Sequence, residues 1–121
     1  MKRTLFLLGT CAAVVATYFA VAPFAGARPA AQTATTVSVT AKEYKFILSR
    51  RSAPHGIVVF KVVNKGKLKH DFKIAGKKTP LLKPRAKATL RVTLKKGKKY
   101  TYICTVPGHA TLGMKGVFKA T

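Results

Sequence analysis

From Thr36 to the C-terminus the chain alternates apolar and polar residues with a period of two, and no window beyond residue 30 repeats with helical spacing. Val37, Val39 and Ala41 alternate with Ser38, Thr40 and Lys42; Ala88, Leu90, Val92 and Leu94 alternate with Thr89, Arg91, Thr93 and Lys95. Tyr44, Phe46 and Leu48 continue the pattern around Lys45, although Ile47 falls out of step, and His70, Phe72 and Ile74 and then Tyr100, Tyr102 and Cys104 follow it. Ile57–Val63 is a β-branched, apolar run of the kind that forms a buried strand, and Gly116–Ala120 reads as a last strand. Breakers separate these segments. Pro54 and Gly56 mark a turn over residues 50–56, Asn64-Lys65-Gly66 and Lys96-Gly97-Lys98 mark two more, and Pro80 and Pro84 place a loop over 76–84 with room for a short strand at Leu81-Leu82. Alternate side chains on a strand point to opposite faces, so a chain patterned this way buries one face of each strand against a second layer. Seven or eight short strands predict an all-β domain, a sandwich or a barrel.

The apolar fraction of 48% is concentrated at the N-terminus. Lys2 and Arg3 precede Leu5–Ala27, a stretch without any charge that ends in Ala25-Gly26-Ala27 before Arg28. A positive start, an apolar run and small residues at a cleavage site are the parts of an export signal; an uncut membrane anchor of nearly the same length fits the same residues. Residues 1–27 therefore read as a signal peptide or N-terminal anchor, 28–35 as a linker and 36–121 as one domain. The expected location is periplasmic, extracellular or on the outer face of the cytoplasmic membrane. Cys11 lies inside the apolar run behind Thr10, a poor setting for lipidation.

The chain carries 24 Lys and Arg against two acidic residues, Glu43 and Asp71, for a formal charge of +22. Such a surface repels its own copies, which suits a monomer, and attracts acidic proteins, anionic membrane surfaces and wall polymers. Specific nucleic-acid binding is not expected: aromatic residues are not interleaved with the basic ones as a stacking platform requires. Many of the lysines fall on the polar face of alternating strands, where they also discourage edge-to-edge pairing.

With the leader removed, Cys104 is the one remaining cysteine, so an internal disulfide is excluded. Five residues beyond it stands His109, and five beyond that Met114; Pro107, Gly108 and Gly113 make the segment a loop. A loop between two strands can fold thiol, imidazole and thioether onto one point. His70, upstream on a strand that can lie beside the Cys104 strand, adds a second imidazole. Two imidazoles, a thiolate and a weak thioether suit copper in both oxidation states and define a blue-copper electron-transfer site. Zinc is disfavoured by the thioether, and structural zinc sites take four Cys or His donors. His55, in the Pro54-His55-Gly56 turn, reads as an exposed loop residue.

The segment Cys104-Thr105-Val106-Pro107-Gly108-His109, with Gly113-Met114 and Gly116, resembles the copper loop of the cupredoxin family, which includes plastocyanin, azurin and auracyanin. Val58–Gly66 followed by His70-Asp71-Phe72 resembles that family's first-histidine segment. The resemblance spans residues 36–121 and implies a Greek-key β-sandwich, one copper ion, His70, Cys104 and His109 as equatorial ligands and Met114 as the axial one. Many members have Asn where this chain has Asp71; a hydrogen bond to the Thr105 region or an ion pair with a lysine are the two substitutes that suggest themselves. A single loop cysteine implies a mononuclear site. Thr105 beside Cys104 removes the histidine bridge used by multicopper oxidases and nitrite reductases, so the expectation is a one-electron carrier and not an enzyme. A copper-binding or copper-delivery protein of the envelope is the alternative. The resemblance also implies an exposed His109 edge within an apolar patch of Pro107, Gly108, Ala110, Leu112 and Gly113, with lysines steering acidic redox partners.

Overall fold

The computed structural model describes residues 9, 12–23, 26, 27 and 33–121. Among the described residues nine strands run in chain order: β1 (Thr35–Lys42), β2 (Lys45–Leu48), β3 (Ser52–Ala53), β4 (Gly56–Asn64), β5 (Lys73–Ile74), β6 (Lys77–Lys78), β7 (Lys87–Leu94), β8 (Lys99–Ile103) and β9 (Lys115–Ala120). They form a four-stranded sheet, β2-β1-β4-β7, and a five-stranded sheet, β3-β9-β8-β5-β6. The chain passes repeatedly from one sheet to the other, and the domain is a β-sandwich, one of the two architectures the alternation allows and the one the family resemblance implies. β1 runs parallel to β4, while β4 and β7 pair antiparallel over eight residues from Gly56↔Leu94 to Val63↔Lys87.

Two elements appear where no strand was expected, and both are two-residue ladders. β3 pairs with β9 at Ser52↔Lys119 and Ala53↔Ala120, inside the segment read as a turn. β6 pairs with β5 at Lys73↔Lys78 and Ile74↔Lys77, inside the segment read as a loop. Neither is long enough to show a period, and both β6 residues are exposed lysines. The strand expected from His70 begins only at Lys73, and the one expected at Leu81-Leu82 is reduced to a single bridge between His70 and Leu82. Tyr44 belongs to the β1–β2 turn at φ 58°, and β2 starts after it, so Ile47 falls on the outer face while Phe46 is buried.

The alternation puts Val37, Val39, Phe60, Val62, Val92 and Leu94 on the inner face of the first sheet, opposite Ile74, Tyr102 and Phe118 of the second. Phe60 joins the layers, with its ring 5.2 Å from that of Phe118 and 5.3 Å from that of Phe72. Phe72 also meets Phe46 edge-on at 5.1 Å and stacks on Tyr102 at 5.5 Å. This aromatic cluster lies under the segment that carries His70. On the outer faces the charge takes an unusual form. Lys42 is paired directly with Lys45, Lys73 with Lys78, and Lys99 with Lys119. Like charges directly opposite one another weaken a sheet, so the core must outweigh this repulsion.

β1 begins one residue inside the expected linker. Residues 12–23 carry neither helix nor strand and are exposed. No helix among the described residues is long and apolar enough to cross a membrane. The basic start at Lys2 and Arg3, Cys11, Ala25 of the small-residue motif and residues 28–32 of the linker lie outside the described residues.

Phe60 has no solvent exposure and packs on the ring of Phe118 in the opposite sheet and on that of Phe72 beside the His70 segment, so Phe60→Ala should destabilise the domain by about 3–5 kcal/mol. Urea unfolding checks this; a loss below ~1 kcal/mol would contradict the central role given to that ring.

Candidate metal centre

His70 is held by main-chain bonds on the stretch between the two sheets. Its N–H donates to the Leu82 carbonyl at 3.1 Å, and the Leu82 N–H donates back at 2.7 Å. Asn64, fully buried at the end of β4, shapes the preceding turn: its Nδ2 donates to the carbonyls of Leu68 (2.7 Å) and Leu82 (2.9 Å), and its Oδ1 accepts from the Gly66 N–H at 2.9 Å. Three residues beyond His70, Lys73 pairs with Ile103. That ladder sets the first-histidine segment beside Cys104, the arrangement the sequence pattern predicts, although through β5 and not through a strand beginning at His70.

Cys104 directly follows β8 and Met114 precedes β9, and the loop between them closes on itself. The Cys104 N–H donates to the Met114 carbonyl at 3.0 Å, Met114 N–H to the His109 carbonyl at 3.0 Å, and His109 N–H to the Val106 carbonyl at 3.1 Å. The three donor residues of the loop are thus tied through their main chains. Gly113 enables the closure: it sits at φ 114°, and a Cβ there would lie 3.2 Å from the Tyr44 carbonyl oxygen.

The side chains converge. Nδ1 of His70 lies 3.1 Å from Nδ1 of His109, and the Cys104 Sγ lies 4.0 Å from the first and 3.7 Å from the second. This is the metal-capable cluster found among the described residues. All three side chains are buried, and so is Met114. The structure therefore brings three predicted donors to one point and puts the fourth at the end of the same loop, bonded through its backbone to two of them. Two imidazole nitrogens facing each other beside a thiol is an arrangement that a bound cation relieves, and the donor chemistry fits copper. Burial pushes the Cys104 thiol up and the His70 imidazole down from their ordinary values. Hence His70 is neutral at neutral pH and ready to ligate, while a metal must displace the thiol proton.

Both substitutes suggested for the missing Asn are present. Asp71 Oδ1 accepts from the Thr105 N–H at 2.6 Å, and its Oδ2 accepts from the Thr105 hydroxyl. Lys78 Nζ lies 3.9 Å from the same carboxylate. Asp71 thereby ties the His70 segment to the residue after Cys104. His55 is exposed, as expected, and its Nδ1 and N–H both reach the Thr121 carbonyl, pinning the C-terminus.

Two residues of the β1–β2 turn were not legible as site residues. The Tyr44 ring meets His109 edge-on at 5.3 Å. The Glu43 carboxylate accepts from the N–H groups of Lys67 (2.5 Å) and Leu68 (2.7 Å) and stands 3.4 Å from His70 Nε2. The one available signal was rarity, since Glu43 and Asp71 are the only acidic residues in the chain.

A sequence profile of copper binding proteins of the plastocyanin/azurin family matches residues 30–120, and the chain belongs to that family. No curated protein matches it significantly. Among solved structures it is similar to reduced auracyanin from Roseiflexus castenholzii, with a TM-score of 0.64 at 19% identity, over 72% of this chain and 97% of that one. It is also similar to auracyanin A from Chloroflexus aurantiacus, described as a blue copper protein, with a TM-score of 0.61 at 19% identity over 74% and 100% of the two chains. An azurin from Methylomonas sp. strain J follows with a TM-score of 0.58 at 19% identity over 72% and 98%. At these identities the structural likeness speaks for the fold.

Asp71→Ala unties the two ligand segments and should weaken copper binding by about 10–100-fold, as read by competition with a chelator of known affinity. The amide of Leu68 is the chief cause holding the Glu43 carboxyl down from the usual 4.5 to about 2. A lowered carboxyl stabilises the fold above its unfolded value, and that contribution is lost as pH falls through the folded one. Apo-protein stability should therefore decline between about pH 4.5 and 2, and Glu43→Gln should flatten that part of the acid denaturation curve.

Proposed function

We propose that His70, Cys104, His109 and Met114 hold a single copper ion and that the protein is a blue-copper, one-electron carrier working outside the cytoplasm. The observation that carries this reading is the convergence of three buried donor atoms, none more than 4.0 Å from another, in a chain of the plastocyanin/azurin copper-binding family. Bound there, copper supplies a one-electron Cu(I)/Cu(II) couple with a thiolate donor. The residues of the chain supply a fixed frame: the Leu82 bridge, the Asp71–Thr105 tie and the closed 104–114 loop limit how far any donor moves between oxidation states. Cys104 is followed by Thr105, which offers no imidazole path to a second metal, and substrate turnover forms no part of this reading.

His109 is the donor nearest solvent. Around it the exposed Pro107, Gly108 and Leu112 and the half-buried Ala110 form an apolar surface, and Tyr44 covers the ring from the side. Lys67, Lys69 and Lys115 are exposed next to site residues in sequence. Electrons enter and leave at this end, and the basic surface steers acidic redox partners to it. The basic start and uncharged stretch of residues 1–27 support export.

Adding Cu(II) to the soluble domain should give an intense thiolate-to-copper band in the visible spectrum and an electron paramagnetic resonance signal to match. Cys104→Ser should abolish the band; Met114→Leu should keep it and raise the midpoint potential, because a weak thioether donor to Cu(II) would be lost. A folded sample that binds copper without the band would refute the assignment. Copper that leaves for a chelator upon reduction would point to delivery instead of electron transfer. Reaction with an acidic acceptor protein should slow as salt is raised over the range that screens surface charge; a rate indifferent to ionic strength removes the steering role.

A further inference from the structure

The chain has two acidic side chains among 121 residues: Asp71 directly follows His70 and bonds Thr105, and Glu43 faces the His70 ring. Asp71 serves to tie the loops. Glu43 makes a different contact, on the outer edge of a predicted ligand. One of its oxygens, Oε1, accepts from the main-chain N–H groups of Lys67 and Leu68 and faces Nε2 of His70 at 3.4 Å. The opposite ring nitrogen, Nδ1, is the one aimed at Cys104 and His109.

The carboxylate sits in a built socket. The turn around it is fixed by the buried Asn64, which bonds Gly66, Leu68 and Leu82. Gly66 leaves the space that the carboxylate fills, since a Cβ there would collide with the Glu43 carboxyl oxygens and carbon. The backbone at Gly66 is not left-handed, so this glycine answers to the neighbouring carboxylate and not to a turn conformation. A side chain one-third exposed is thereby held in one place, in a molecule whose many lysines would otherwise compete for it.

We propose that Glu43 is a positioning residue for the copper centre: it accepts the Nε2–H of His70, fixes the tautomer that leaves Nδ1 free for the metal, and lowers the reduction potential. This rests on His70 being a copper ligand. A ligand imidazole that donates its far N–H to a carboxylate is oriented and made a stronger donor. A stronger donor, together with a fixed negative charge close by, favours Cu(II) over Cu(I). Glu43 therefore opposes the pull of the surrounding lysines, which favours the less positive ion.

Two variants test the idea by different routes. Glu43→Gln removes the charge and keeps the shape. Gly66→Ala keeps the charge but pushes the carboxylate out of its socket. Both should keep the blue band and raise the midpoint potential measured by voltammetry, and the double variant should add little to either. In the metal-free wild type, ¹⁵N NMR should show His70 as the Nε2–H tautomer. An unshifted potential in either single variant with the band intact, or an Nδ1–H tautomer for His70, would overturn the proposal while leaving the copper reading standing. Absence of the band in the wild type would overturn both.

Discussion

Two buried imidazoles set with nitrogens 3.1 Å apart, next to a buried thiol, are not what a β-sandwich would choose for its own stability. Polar groups in an apolar interior need partners, and here the partners are mainly one another. The surrounding structure is organised to enforce that convergence. The Leu82 bridge locks the His70 backbone, Asn64 shapes the turn before it, and Asp71 fastens it to Thr105. The Phe46–Phe60–Phe72–Tyr102 cluster gives the segment a rigid floor. A site assembled before the metal arrives changes little when the metal changes oxidation state, which is the requirement for rapid transfer.

The placement of charge follows the same logic. An almost uniformly basic chain places both of its carboxylates within reach of the metal-site segments, one joining the loops and one against the outer edge of His70. Glu43 is held by two main-chain N–H groups and Asp71 by the N–H and hydroxyl of Thr105, so their positions depend on the fold more than on the ionic surroundings.

Much of this was readable from the chain itself. The period-two pattern located the long strands because each buries one face, and Leu90, Val92 and Leu94 lie inward as their spacing implies. Cys104, His109 and Met114 stood out because their spacing is short and broken by proline and glycine. What escaped was either too short to have a period, as with Ser52–Ala53 and Lys77–Lys78, or depended on distant segments meeting. Glu43 is 27 residues from His70 and looks like any surface acid until the β1–β2 turn folds over the Lys67–Leu68 amides. Tyr44 likewise fitted the alternation as a strand residue, and only its left-handed backbone places it on His109.

The lysines that face one another across the strands, Lys42 with Lys45, Lys73 with Lys78 and Lys99 with Lys119, have almost no acidic neighbours to offset them. Small anions from solution must supply the missing counter-charge, so each molecule moves inside a borrowed ionic atmosphere. Two copies that approach one another must share or shed that atmosphere while their like fields oppose contact. Self-exchange of electrons between identical molecules is thereby disfavoured.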